Sequence, residues 1–253
     1  MAQSLIILAL LATAAAAQDY CDKSLCGEDQ EHTGCNHNGQ FGDACPAGAK
    51  LLQLDANAQQ LALAAHNEVR QQWANGEGNV ALKACRMPTM RWHAELAKLA
   101  ELHIKSCQMR HDECRNTQEF DASGQNLYLT GTTSKQPRDV SSLLREAVAN
   151  WAAEGVNLTA DILSNYPKRY QGPVVGHATA LLQQLNTDVG CAVVSYRENA
   201  FNIYLVCCNY ATTNFVETPV YTSCNTAAEK CNTGSNPVYA ALCSPQEQVN
   251  PNL

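Results

Sequence analysis

Four short stretches of this 253-residue chain carry side chains able to do chemistry. They are His-Asp-Glu-Cys at 111–114, Gly-Gln-Asn at 124–126, Trp-Ala-Ala-Glu at 151–154 and Gly-His-Ala-Thr at 176–179. Together they supply two imidazoles (His111, His177), one amide (Gln125) and one carboxylate (Glu154), read as converging on one cavity. Neutral imidazoles beside a carboxylate suit a divalent cation such as zinc or copper, which takes nitrogen and oxygen donors. His177 follows Gly176 at the head of a helix-like segment. The positive end of the helix dipole there disfavours an imidazolium and keeps the ring a competent donor. Glu154 stands three residues after Trp151, so one helical face carries both. A structural reading competes, in which Glu154 hydrogen-bonds an imidazole and the four side chains tie neighbouring elements together. Two histidines alone make an open site of modest affinity, which favours the structural role and requires no cofactor.

The sequence contains no Gly-x-Ser-x-Gly elbow and no His-Glu-x-x-His pair. Ser123 precedes Gly-Gln-Asn, so a Ser123/His177/Glu154 grouping can be written, but a triad needs mutual contacts that spacing does not supply. A protein that is not an enzyme is the favoured reading, with a metal-assisted or serine-dependent hydrolase as the alternative. His66 and His103 fall on or beside apolar helical faces and read as hydrogen-bonded core or boundary residues. His32 and His37 read as solvated loop residues, and His93 sits near a helix start.

These groups need a scaffold. Residues 51–75 place Leu51, Leu54, Leu61, Ala65, Val69 and Trp73 near helical spacing, with Asp55 or Asn57 as N-cap. A second helix is predicted over 93–109 and a third over 140–154, with a short strand at 125–130 between them. An irregular stretch at 157–172 leads to a helix begun by His177. Strand-like runs at 189–196 and 201–211 follow, joined by a turn. Helices before, between and after a few strands predict an α+β chain folded as a three-layer α/β/α sandwich.

Residues 1–17 are apolar, uncharged and end in alanines, as in a secretory signal peptide cleaved between Ala17 and Gln18. No other stretch is long and apolar enough to span a membrane. All 13 cysteines follow that leader, so they read as a disulfide framework in an oxidising, extracellular compartment. The odd count leaves at least one thiol outside an intrachain pair. Residues 19–48 hold Cys21, Cys26, Cys35 and Cys45 with almost no large apolar side chains, which predicts a stapled arm. The last forty residues hold Cys224, Cys231 and Cys243 and read as a second disulfide-tied extension. The division is therefore a leader at 1–17, an arm at 18–50, a main domain at 51–215 and a C-terminal extension at 216–253. A net charge of −7 without a basic stripe argues against nucleic acid as a partner. Asn157-Leu158-Thr159 is an N-glycosylation sequon close after the third helix.

The blocks LAAHNEVR (63–70), MRWHAELAKLA (90–100), GQNLYLT (124–130), GHATALLQQLNTDVGC (176–191) and YLVCCNYA (204–211) resemble the signatures of the CAP superfamily. That superfamily holds cysteine-rich secretory proteins, antigen-five venom allergens and plant pathogenesis-related proteins, and the N-terminal arm is most similar to the insect antigen-five branch. The resemblance implies a cavity lined by two histidines and two acidic residues, which fall on His111, Gln125, Glu154 and His177. Gln125 departs from the acidic pattern, and an amide brings no charge and no general base. The resemblance also implies the pairs Cys21–Cys35, Cys26–Cys114, Cys45–Cys107, Cys191–Cys208 and Cys231–Cys243. Cys207 and Cys208 point to opposite strand faces, so they cannot both meet Cys191. Cys208 is preferred because it precedes Asn-Tyr in the family pattern, leaving Cys207 as a thiol and Cys85–Cys224 as an extra candidate pair. The implied function is a secreted, monomeric venom or salivary allergen that is not an enzyme. Its expected partner is a lipid or sterol, a metal ion held by His111 and His177, or host proteins and antibodies. A structural or immune-defence role through surface loops is a further alternative. An Arg-Gly-Asp loop is not carried over, since the arm reads Phe41-Gly42-Asp43.

Overall fold

The computed structural model describes residues 18–252; the leader at 1–17, with its cleavage after Ala17, lies outside the described residues. Strand β1 (Lys50–Leu52) precedes helix α1 (Ala56–Ala74), whose start is set by the Asp55 carboxylate accepting from Ala58 N–H at 2.8 Å. The predicted helix at 51–75 thus begins later. Leu51 and Leu52 instead pair with Val194 and Val193 and pack on opposite faces of a sheet, a period of two that a neighbouring strand imposes. Gly76, at φ 76°, ends α1 in the left-handed region that favours glycine.

Strands β2 (Lys83–Ala84) and β3 (Arg91–Trp92) lead into α2 (Ala94–Ile104), capped by the His93 ring. This helix stops short of the predicted residue 109. Cys107 adopts φ 55° and bonds to Cys45, so the disulfide pulls the chain out of the helical path. Strand β4 (Gly124–Thr132) is followed by α3 (Val140–Ala153), a 3-10 turn at Glu154–Asn157, α4 (Ala160–Ser164) and α5 (Gly176–Leu182). Strands β5 (Asp188–Glu198) and β6 (Phe201–Tyr210) form a hairpin, and β7 (Ser223–Cys224) pairs with β2.

The main sheet runs β1-β5-β6-β4, antiparallel throughout, with β3 joining β5 in parallel. Strict alternation decides what each face buries. Cys191, Val193, Tyr204, Val206 and Cys208 face α1 and α3, packed with Leu143, Leu144 and Trp151. Ala192, Val194, Leu205 and Cys207 face α2 through Ala100 and Ile104. The result is a three-layer α/β/α sandwich. Helix α2 lies so close that a Cβ on Gly190 would collide with the Ala97 backbone nitrogen. The tail joins a further cluster, with Val220, Tyr221, Ala241 and Leu242 buried against Trp73, Leu158 and Leu163.

Six disulfides form: Cys21–Cys35, Cys26–Cys114, Cys45–Cys107, Cys85–Cys224, Cys191–Cys208 and Cys231–Cys243. Cys207 is a buried free thiol on the α2 side. Cys21–Cys35 staples the coreless arm to itself, and Cys26–Cys114 and Cys45–Cys107 hold it against the loop carrying His111, each contributing about 2–4 kcal/mol. Among the described residues no helix is long and apolar enough to cross a membrane.

Candidate functional site

The four tetrad side chains form two hydrogen-bonded pairs. His111, in the loop after α2, donates through Nδ1–H to Gln125 Oε1 at 2.7 Å. His177, the second residue of α5, donates through Nδ1–H to Glu154 Oε1 at 2.6 Å. Both pairs meet the start of edge strand β4. Gln125 shares the α2 face with Leu127, and its Nε2 donates to Asn209 Oδ1 at 3.1 Å. Asn209 in turn donates to Leu96 O of α2. Asn126, the next residue, points the other way and donates to His177 O at 3.2 Å and Tyr210 Oη at 3.3 Å. Two consecutive strand residues therefore carry one pair each, and no direct hydrogen bond joins the pairs among the described residues.

Glu154 is fully engaged. Its Oε2 accepts from the backbone N–H groups of His177 and Ala178 at 2.9 and 3.2 Å, while Oε1 accepts from the His177 ring. Helix α5 has no side-chain cap at Val175, so a carboxylate from the end of α3 fills that place. Trp151, one turn earlier, stacks on the His177 ring with centroids 6.4 Å apart and donates from Nε1 to Leu127 O at 3.0 Å. Gln125 is equally committed, since its Nε2 also donates to Asp112 Oδ2 at 3.3 Å. Asp112 is paired with Arg115 and with His103 Nδ1 at 3.2 Å. Burial pulls the His103 pKa down, and the Asp112 carboxylate and Arg110 carbonyl oppose it.

Behind the sheet edge, His66 donates to Ala62 O at 2.7 Å through Nδ1 and meets Tyr210 Oη at 3.0 Å through Nε2. Burial drives its pKa to about 4, the Ala62 carbonyl opposes that and the Arg70 charge adds to it, so the ring is neutral at pH 7. Arg70 is wholly buried without a carboxylate. It is held by the Pro88, Leu181 and Gln183 carbonyls, and burial lowers its pKa to about 9. Two of those carbonyls belong to the end of α5, so Arg70 anchors one end of the helix whose other end carries His177. His32 and His37, read from sequence as solvated, differ. His32 is buried, stacks on Tyr20 and bonds to Asn116 O, and His37 bonds to Leu102 O, because the disulfides press the arm onto α2 and its loop.

What the residues offer a metal is limited. Both Nδ1 atoms are occupied by acceptors, which leaves each Nε2 as the donor, an orientation common behind metal-bound histidines. Among the described residues, the groupings of three His, Cys, Asp or Glu donors are Cys26–His32–Cys114 and His66–Cys191–Cys208. Each contains a disulfide, so their sulfurs are not thiolates. Neither His111 nor His177 belongs to a three-donor set, and both Glu154 oxygens already accept hydrogen bonds. Ser123 Oγ is buried without a hydrogen-bond partner, so the written Ser123/His177/Glu154 triad is not assembled. His111 lines a cavity of about 590 Å3 with the arm and the end of α2, and its walls include His37, Lys105 and Asp112 but not Glu154 or His177.

A profile of the cysteine-rich secretory protein family, CAP, matches residues 63–210. The chain belongs to the CAP family. Its relatives include Venom allergen-1 of Aedes aegypti, 37% identical over 91% of this chain and 89% of that protein. The antigen 5 like allergen Cul n 1 of Culicoides nubeculosus is 37% identical over 78% of this chain and 93% of its own length. Tabinhibitin 3 of Tabanus yao is 31% identical over 98% of this chain and 95% of its own. Among solved CAP structures, NaASP2 with Zn2+ superposes at TM-score 0.64 and 23% identity, covering 79% of this chain and all of that one. The CAP resemblance singled out His111, Gln125, Glu154 and His177, of which Gln125 and His177 lie within its quoted blocks. It did not single out Asp112, Arg115, Asn209 or Tyr210, whose roles arise from contacts across layers. Asn209 and Tyr210 lie within the Cys-Asn-Tyr run, which is the one sequence signal that marks them.

Proposed function

We propose that this chain is a secreted, antigen-five-like CAP protein that acts by binding rather than by turnover. The arm at 18–50 and the extension at 216–253 brace a CAP domain at 51–215. The observation that carries this reading is the engagement of the tetrad. Glu154 uses both oxygens on His177 and the start of α5, and Gln125 stands where a second carboxylate would serve as base. Glu154 faces the His177 ring and the α5 amides and Gln125 cannot take a proton, so the base the tetrad could still offer is an imidazole Nε2, which the assay below tests through His177→Ala. The leader, the disulfide count and the venom-allergen relatives support export.

The partner best supported is a host or tissue protein, recognised by loops on a rigid scaffold. The cavity beside His111 is walled largely by charged and amide side chains, which suits a polar occupant better than a lipid or sterol. The free Nε2 of each imidazole supports a second property, weak and open capture of a divalent ion such as zinc, with water completing the shell. A zinc-bearing CAP relative in the solved structures lends it support. The test is to assay zinc-loaded and chelated protein against peptide and ester substrates. Neither form is expected to turn substrate over. Turnover that disappears in folded His177→Ala overturns the reading.

A further inference from the structure

The chain carries 24 acidic against 17 basic side chains, yet one cleft collects cations alone. Its volume is about 270 Å3, and it lies where the β5–β6 hairpin meets β1 and the loop between β4 and α3. Strand register explains the convergence. Lys50 pairs with Ser195 and Ser195 with Tyr204, while Arg197, two residues on, pairs with Asn202. Alternation sets all five on the sheet face that α3 covers. Lys135 arrives from the β4–α3 loop, which Asn202 Nδ2 holds by donating to Ser134 O at 2.7 Å.

None of the nine lining residues is acidic. Among the described residues, Lys50, Lys135 and Arg197 form no ion pair, whereas nearby Arg138 is neutralised by Glu146. The floor supplies further donors. Ser195 and Tyr204 are 7% and 4% exposed, and neither hydroxyl donates to an acceptor among the described residues. Tyr204 Oη only accepts, from Arg138 N–H at 3.1 Å. Each hydroxyl therefore keeps a proton to donate to whatever occupies the cleft, water included. Unpaired cations next to such hydroxyls are the donor set of an oxyanion site.

We propose that this cleft binds a sulfate or phosphate ester, its oxyanion held by Lys50, Lys135, Arg197 and the Ser195 and Tyr204 hydroxyls. The space is below that of a drug-sized pocket, so it takes one charged group with a single ring attached. The site shares no residue with the His177–Glu154 pair, so the two stand or fall separately.

Calorimetric titration at low salt, with glucose 6-phosphate and with glucosamine 6-sulfate as probes, tests it. One-to-one binding of at least one probe is expected, and the tighter one assigns the source as phosphate or sulfated sugar. Lys135→Gln, in a loop, is expected to weaken binding about fivefold, and Lys50→Gln with Arg197→Gln at least about tenfold. Lys168→Gln with Arg169→Gln removes the same charge elsewhere on the surface and is expected to leave affinity within about twofold. Absence of binding by both probes up to about 10 mM overturns the proposal. So does a loss as large in the Lys168/Arg169 control as in the cleft variants.

Discussion

Replacing Glu154 separates a structural clasp from a catalytic acid most directly. Glu154→Ala removes three hydrogen bonds at once, to His177 Nδ1 and to the N–H groups of His177 and Ala178. The Glu154 side chain is 17% exposed, so water replaces those bonds only in part. Losing an N-terminal cap costs about 1 kcal/mol, and a hydrogen bond to a charged group contributes about 1.5–3 kcal/mol. A destabilisation of about 3 kcal/mol follows, which for a chain of this size lowers Tm by roughly 6–12 °C. Glu154→Gln keeps one acceptor and is expected to lose about half as much. Scanning calorimetry with the disulfides intact reads the shift. Hydrogen exchange at the His177 and Ala178 amides, expected to speed up in Glu154→Ala, locates it at the start of α5. A Tm within about 1 °C of the parent protein, with unchanged exchange at those amides, would refute the reasoning.

Four further outcomes follow from buried and half-buried groups. The Glu247 carboxyl is raised by burial but lowered further by bonds from Thr233, Asn232 and Arg86, to about 2. Its contribution is complete above pH 4.5 and is lost as pH falls towards 2, so Glu247→Gln should flatten urea-measured stability across that window. His66 is lowered from 6.5 to about 4, so the unfolded chain binds the extra proton first and stability falls by about 3 kcal/mol between pH 6.5 and 4. A stability curve level across that range in the parent protein would contradict it. Asn157, half-buried with its Nδ2 donating to Val174 O at 3.4 Å, is proposed to carry a glycan beside Glu154. Glycosidase treatment of secreted protein should reduce its mass, and Asn157→Gln should abolish that change. Cys207 should react with a thiol reagent only after denaturation, because burial both shields it and raises its pKa.

The amino-acid sequence by itself determined the layers and the candidate side chains. Apolar runs at 189–196 and 201–211 specified two strands joined by a turn, and helical spacing around Ala65, Leu99 and Trp151 specified the helices that cover them. Ordered blocks carried Gln125 and His177, because those motifs are local strings, and the family's cavity pattern added His111 and Glu154 from the short runs at 111–114 and 151–154. Boundaries were less legible, since the start of α1 and the end of α2 depend on partners distant in sequence. Leu51 and Leu52 become strand only because β5 is there to pair with, and α2 ends where Cys45 reaches Cys107. Tertiary structure alone decided that the tetrad forms two hydrogen-bonded pairs, and that Glu154 caps α5 while holding its histidine. It also decided that Lys50, Lys135 and Arg197 share one cleft. Spacing fixes which face of an element a side chain occupies; which donor, acceptor or charge it meets depends on packing between elements, and that is long-range.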